Sequence, residues 1–92
     1  MTKSDLIEAV AAAEPDWTRG QADAAVNTIF DAMSDALVAG DRIEIRGLGS
    51  FRVMDRRPRT GRNPRTGESV AIPARKVPTF TAGKLLRRRV DA

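Results

Sequence analysis

The sequence contains neither cysteine nor histidine. Disulfides and thiolate chemistry are therefore excluded, and the commonest metal ligands and general bases are missing, so we expect no metal and no cofactor. No apolar run approaches the roughly 20 residues of a membrane-spanning helix. The first residues also lack the basic and then apolar pattern of a secretory signal. These absences predict a cytoplasmic protein without redox function.

Catalytic motifs are missing as well. The segment from Gly61 to Gly67 has the wrong glycine spacing for a phosphate-binding loop and contains no lysine. Gly83-Lys84 is followed by Leu85, and no glycine stands five residues before Gly83. The acidic residues are concentrated on predicted helices, and no nucleophile is paired with a base. We therefore expect no enzymatic activity.

Charge is polarised along the chain of 92 residues, whose net charge is +4. Residues 1 to 51 hold four Lys/Arg and nine Asp/Glu, whereas residues 52 to 92 hold twelve and three. Such asymmetry favours nucleic acid or an anionic membrane as partner. Membrane binding would require bulky apolar residues beside the bases on an amphipathic helix. The basic half is predicted to be mainly strand, so nucleic acid is favoured.

The acidic half predicts two helices. Thr2 and Asp5 form a capping box before apolar residues at helical spacing, which indicates a helix over residues 3 to 14. A second capping box at Thr18 opens a longer helix that Gly40 closes. Its apolar stripe is wider than one short helix can cover, and a core of about 70 residues is marginal alone. We expect a second subunit, either identical or related.

An alternating segment follows the helices. Ile43 and Ile45 point to one face of a predicted strand, while Arg42, Glu44 and Arg46 point to the other. These three charges either neutralise one another or face DNA. Gly47-Leu48-Gly49 then predicts a turn into a second strand.

The segment from Arg56 to Lys76 predicts a basic two-stranded ribbon, called the arm below. Its centre, Asn63 to Gly67, has the composition of a turn, and Pro58 and Pro73 are expected to lie nearly opposite each other as a flexible joint. Pro64 either forms the turn or acts as an apolar wedge between base pairs, and the two roles are compatible. The basic side chains either keep a loop soluble or neutralise phosphates and enter the minor groove. The candidate DNA-binding residues of the arm are Arg56, Arg57, Arg59, Arg62, Asn63, Arg65, Arg75 and Lys76.

A short last helix is predicted from Thr81, which would cap it, with Arg87 on its outer side. Lys3 and Lys84 fall in the first turns of their helices, where the helix dipole disfavours a positive charge. A phosphate bound at each helix N-terminus would explain their position. Phosphate contacts are therefore expected at Lys3, Lys84 and Arg87. The residues expected in the core, shared between two subunits, are Phe30, Leu48, Phe51 and Phe80.

Three motifs in a fixed order resemble the bacterial HU and integration host factor family. They are Arg46 to Phe51, Gly61 to Glu68, and Val77 to Phe80 with the following Gly83-Lys84. The resemblance covers nearly the whole chain, and the segments Met1 to Glu8, Asp41 to Arg46 and Pro58 to Pro64 are most similar to beta-type chains of that family. The chain departs from the pattern at Leu48, where phenylalanine is usual, and in the connection from Glu14 to Trp17.

The resemblance implies an α+β fold in an intertwined dimer. Two N-terminal helices would lie under a three-stranded antiparallel sheet that extends into the arm and is followed by a short C-terminal helix. Residues 1–92 would form one domain, with a helical dimerisation part at about 1–40, sheet and arm at about 41–80, the arm itself at about 55–76, and the last helix at about 81–91.

The resemblance also implies function. Two arms would wrap the minor groove of double-stranded DNA, with Pro64 intercalating and Arg42, Glu44 and Arg46 aiding recognition of a preferred sequence. DNA bending is expected from the resemblance alone, since the family consists of architectural proteins that kink the duplex from its minor groove. Such a protein would organise the nucleoid and serve recombination, replication and transcription. The alternatives are a homodimer with little sequence preference and an adaptor whose arm docks an acidic protein or RNA.

Overall fold

The computed structural model describes all residues from 1 to 92. Its elements in chain order are α1 (Lys3–Ala13), α2 (Arg19–Val38), β1 (Ile43–Ile45), β2 (Gly49–Arg56), β3 (Arg59–Arg62), β4 (Ser69–Ile72), β5 (Arg75–Ala82) and α3 (Lys84–Val90). The chain divides into two compact units: Met1–Ala36, called the helical unit below, and Leu37–Ala92, called the sheet unit. None of the helices has the length and apolar character needed to cross a membrane.

Reciprocal hydrogen bonds begin both long helices, as predicted. The Thr2 N–H donates to Asp5 Oδ2 at 2.8 Å, and the Asp5 N–H donates to Thr2 Oγ1 at 3.3 Å. At α2, the Thr18 N–H donates to Gln21 Oε1 at 2.8 Å, while the Gln21 N–H donates to Thr18 Oγ1 at 3.1 Å. Each pair satisfies two backbone donors that a helix start leaves free. Gly40, at φ 87°, ends α2 in the left-handed region that glycine adopts readily.

The buried core of the chain is small. Only Ile7, Ala22 and Val26 are buried, and Leu6, Val10 and Ala11 pack partly against them. These residues join α1 to the first half of α2. Further along α2, Ile29 is 57% exposed and Phe30 is 39% exposed, so the second half of the helix presents apolar surface that the chain itself does not cover.

The three-stranded sheet has the order β1-β2-β5, with antiparallel neighbours throughout. Directly paired residues share a face, so the register of Ile43 with Phe51 and of Phe51 with Phe80 builds an apolar face. The Phe51 and Phe80 rings lie 4.7 Å apart, tilted by 45°. The other face carries Glu44 and its neighbour Ser50. The sheet is therefore amphipathic, as the alternation predicted.

The arm continues this sheet without a change of register. Arg56 pairs with Arg75, and three residues further along each strand Arg59 pairs with Ile72. Pro58 therefore lies opposite Pro73, as predicted, and the ladder is interrupted at this level. Proline has no backbone N–H to donate, so the gap in the ladder follows from the two prolines.

The last helix begins later than predicted. Thr81 does not cap it, because Thr81 belongs to β5 and pairs with Ser50. The N-cap is Gly83, which makes no side-chain hydrogen bond, and α3 starts at Lys84. The pairing of β2 with β5 extends the sheet to Ala82. Thr81 and Ala82, which were predicted to belong to the helix, are therefore part of a strand.

The four residues predicted for a shared core are not enclosed by the chain alone. Phe30, Leu48 and Phe80 are 39%, 38% and 44% exposed, and Phe51 is half-buried. None belongs to the buried cluster of Ile7, Ala22 and Val26. Their place in an interface between subunits stays a prediction.

Candidate nucleic-acid interface

The arm concentrates unpaired positive charge. Between Arg56 and Lys76 it contains one acidic residue, Glu68, and the seven cations Arg56, Arg57, Arg59, Arg62, Arg65, Arg75 and Lys76, all exposed. None of the seven forms an ion pair, since the two ion pairs of the chain join Arg19 to Glu8 and Arg42 to Glu44. A ribbon with this charge attracts a polyanion along its whole length.

The tip of the arm is a closed turn. The Gly67 N–H donates to the Asn63 carbonyl at 2.7 Å, and the Asn63 N–H donates to the Glu68 carbonyl at 2.9 Å. The Asn63 side chain accepts from the Arg65 N–H at 2.9 Å, so it bridges Pro64. Gly67 has φ 76°, which glycine tolerates without strain. The predicted turn is confirmed, and it holds Pro64 exposed at the end of the arm.

A second group of predicted residues lines one open cleft of about 580 Å³ at the other end of the sheet. Arg42, Glu44 and Arg46 come from β1 and its flanks, and Lys84 comes from the start of α3. Arg42 Nη2 lies 3.0 Å from Glu44 Oε1. The predicted mutual neutralisation therefore holds for this pair, whereas Arg46 and Lys84 have no acidic partner.

Close backbone packing positions Arg46 and Lys84. The Gly83 N–H donates to the Leu48 carbonyl at 2.9 Å, which ties the turn after β1 to the start of α3. A Cβ at Gly49 would overlap the Thr81 carbonyl oxygen, and Gly49 has φ 154°. Only glycine fits where β2 passes the backbone of Thr81 and Gly83, a contact called the glycine crossing below. Gly49 therefore allows Arg46 and Lys84 to line the same cleft.

The remaining predicted contacts lie elsewhere. Lys3 is exposed in the first turn of α1, in the helical unit, and Arg87 is exposed on α3. Neither has an acidic partner. The structure thus groups Arg42, Glu44, Arg46 and Lys84 in one cleft and leaves Lys3 and Arg87 outside it.

Two features were missed by sequence reasoning. Arg52 is exposed two residues after Ser50 and therefore shares its polar face, which the alternation from Ser50 onward could have indicated. On the arm, Val70 pairs with Gly61, and its apolar side chain is 46% exposed. Its position depends on the strand register, which only the structure supplies.

Comparison with known proteins gives consistent matches over the chain. A model of the family described as bacterial DNA-binding protein matches residues 1–91. The integration host factor subunit beta of Ralstonia nicotianae is 59% identical over 99% of this chain, which spans 66% of that protein's length. The same subunit of Dechloromonas aromatica is also 59% identical, and the match covers 99% of this chain and 97% of that protein.

A solved structure agrees with these matches. The Anabaena HU–DNA cocrystal structure superposes with a TM-score of 0.88 and 42% sequence identity, covering 98% of this chain and 97% of that one. The resemblance to the HU and integration host factor family and the α+β fold are both confirmed. The chain therefore belongs to the family of bacterial DNA-binding proteins, and it is a DNA-binding protein rather than an enzyme.

Proposed function

We propose that this chain is an architectural protein that binds double-stranded DNA as one subunit of a dimer and bends it with its arms. The observation that carries the proposal is the arm, with seven cations and no ion pair. A loop that served solubility alone would not need this excess of one sign. Its exposed surface is free to follow the minor groove, where the potential is most negative.

Pro64 is proposed as the wedge. It is exposed at the tip, in a turn fixed by Asn63 and Gly67, so it would meet DNA first along the axis of the arm. An apolar wedge unstacks a base step at a cost of about a few kcal/mol. The resulting bend brings further phosphates to the protein, and these contacts offset the cost.

The dimer is proposed because each unit exposes apolar surface. In the helical unit Ile29 is 57% exposed and Phe30 is 39% exposed, while in the sheet unit Phe80 is 44% exposed and Leu48 is 38% exposed. A second subunit that covered these side chains would complete the small buried core. It is either an identical chain or an alpha-type relative.

The flanks of the bent DNA are proposed to meet the body of the protein. Lys3, Lys84 and Arg87 would bind phosphates, since all three are exposed and unpaired. Arg46 would aid recognition of a preferred sequence from the cleft that it shares with Arg42 and Glu44. In this role the protein would act in the cytoplasm on the nucleoid, in recombination, replication and transcription.

A second candidate is a homodimer with little sequence preference. The structural match to an HU–DNA cocrystal favours it, whereas the matches to integration host factor subunit beta favour a sequence-selective heterodimer. The ratio of affinities for one preferred site and for random DNA separates the two. A ratio near one for the lone chain, at every salt concentration, would favour the homodimer.

The arm itself can be removed cleanly. Arg56 pairs directly with Arg75, so a two-residue Asn-Gly turn can replace residues 57 to 74 and close the hairpin there. We expect this variant to keep the three-stranded sheet and to lose DNA bending and most of its affinity. Unchanged bending and affinity would refute the role of the arm, and competition by RNA or single strands as strong as that by duplex DNA would favour an adaptor.

A further inference from the structure

The outer face of α2 has no partner within the chain. Asp23, Asn27, Asp31 and Asp35 recur at four-residue intervals and form one ridge of the helix. The three carboxylates are exposed. Asp31 follows the buried Ala22 by about two and a half helical turns, so it points to the opposite side of the helix from the core. This ridge is called the outer face of α2 below.

The charge on this face does not stabilise the helix. Asp23 accepts a hydrogen bond from the Asn27 side chain, whereas Asp31 and Asp35 have no ion-pair partner. Two carboxylates four residues apart on a helix repel each other. The last turn of α2 contains no basic residue, although the helix dipole favours one there. Helix stability therefore does not explain these acidic residues.

The arrangement fits an extended cation and not a metal ion. No group of three acidic side chains in the chain is placed to hold a metal. Asp23 and Asp35 are instead separated by about 18 Å along the helix axis. Nucleic acid has the same sign of charge as this face and is repelled by it. A partner of the outer face of α2 therefore carries several positive charges over a similar length.

The arm has both the charge and the length. It carries seven cations that form no ion pair, and from Arg56 to Arg62 its strand extends about 20 Å. The other basic segment, α3, is only about 10 Å long and would cover about half of the face. We propose that, in the absence of DNA, the arm of one molecule lies along the outer face of α2 of a second molecule.

DNA displaces this contact because its charge is denser. Over about 18 Å a duplex carries roughly ten phosphates, one per about 1.7 Å, whereas the outer face of α2 offers three carboxylates over the same length. The arm therefore prefers DNA, and self-association is confined to DNA-free protein. The free protein would thus keep its arms shielded from other anionic surfaces until a duplex releases them. This dependence on DNA rests on the proposed function of the arm, whereas the self-association does not.

Sedimentation velocity of the DNA-free protein, at several protein and salt concentrations, measures the self-association. We expect species larger than a dimer at low salt, and we expect them to disappear at high salt because screening weakens contacts between exposed charges. Replacing residues 57 to 74 by the two-residue turn should leave only the dimer. A dimer of one size under all conditions, or larger species that persist without the arm, would overturn the inference.

Neutral substitutions locate the contact on α2. Asp31→Asn combined with Asp35→Asn should lower the association constant roughly fivefold, the loss of two exposed ion pairs. The variant should fold, because the change removes a repulsion within α2. Glu14→Gln combined with Asp16→Asn is the control, since it removes the same charge from the connection between α1 and α2. We expect the control to lower the constant less than about twofold, and equal losses in the two variants would overturn the role of the outer face.

Addition of a short duplex separates this inference from the proposed function. We expect one duplex per dimer to convert the larger species into DNA-bound dimers. Larger species that remain unchanged beside free duplex would contradict DNA binding by the arm and the release of the arm by DNA. Self-association would still stand in that case, provided that it required the arm and the outer face of α2.

Discussion

Replacement of Arg62 by alanine tests whether the arm binds phosphates. Arg62 is exposed on β3 and has no acidic partner, so its removal leaves no orphaned carboxylate and no lost intramolecular ion pair. Its directly opposite neighbour is Ser69, which carries no charge. Any change in DNA binding therefore reports the lost contact with DNA and not a rearranged arm.

The size of the effect follows from counterion release. Each neutralised phosphate contributes about 0.9 to the slope of log affinity against log salt concentration. The protein alone would present two arms, so Arg62→Ala removes about 1.8 from the slope. Both proteins lose affinity when the salt concentration rises from about 50 to about 200 mM, and the factor lost by the variant should be roughly ten times smaller than the factor lost by the unmodified protein.

Fluorescence anisotropy of a labelled duplex at several salt concentrations measures this slope. Arg19→Ala is the matched control, because Arg19 is also an exposed arginine but pairs with Glu8 at 3.3 Å in the helical unit. We expect the control to leave the slope unchanged. Equal slopes for Arg62→Ala and the unmodified protein would refute the counterion argument for the arm.

Three further substitutions test the tip of the arm, the cleft and the glycine crossing. Pro64→Ala should reduce bending, measured by energy transfer across an end-labelled duplex, more than it reduces affinity, and equal losses would contradict the wedge. Arg46→Ala should lower the ratio of affinities for a preferred site and for random DNA, and an unchanged ratio would count against sequence recognition from the cleft. Gly49→Ala should destabilise the fold by about 3 kcal/mol or more, because its Cβ would overlap the Thr81 carbonyl. Urea unfolding at one fixed protein concentration measures this loss. Gly83→Ala is the control, since a Cβ at Gly83 comes no closer than 3.4 Å to another atom. Similar stabilities of the two variants would show that the backbone around Gly49 can relax.

Local signals in the sequence predicted the elements well where backbone chemistry decides them. The capping boxes at Thr2 and Thr18 and the turn at Asn63 to Gly67 occur in the structure with the expected hydrogen bonds. The opposed prolines were predicted because a tight turn fixes the register of both strands behind it. The start of α3 was wrong, because Thr81 has the side chain of a cap but is held in the ladder by Ser50.

The site was predictable in its charges but not in its faces. Unpaired arginines on the arm are visible from composition, and the alternation around Glu44 indicated that Arg42, Glu44 and Arg46 share a surface. Lys84 lies beside that surface because Gly49 lets the backbone pack closely against Thr81. This role of Gly49 could not be predicted from the sequence, since it depends on where the fold places the Thr81 carbonyl. The exposure of Val70 likewise follows from its pairing with Gly61, which lies on the other strand of the arm and is not a neighbour in sequence.

Whether this chain bends DNA is decided by bending and affinity measured together, on one short duplex labelled at both ends for energy transfer. The lone chain would be titrated at several salt concentrations. We expect strongly bent DNA, bound tightly at low salt and steeply more weakly as salt rises, either by the chain alone or after an alpha-type partner is added. Binding that leaves the duplex straight in both cases would contradict the architectural function.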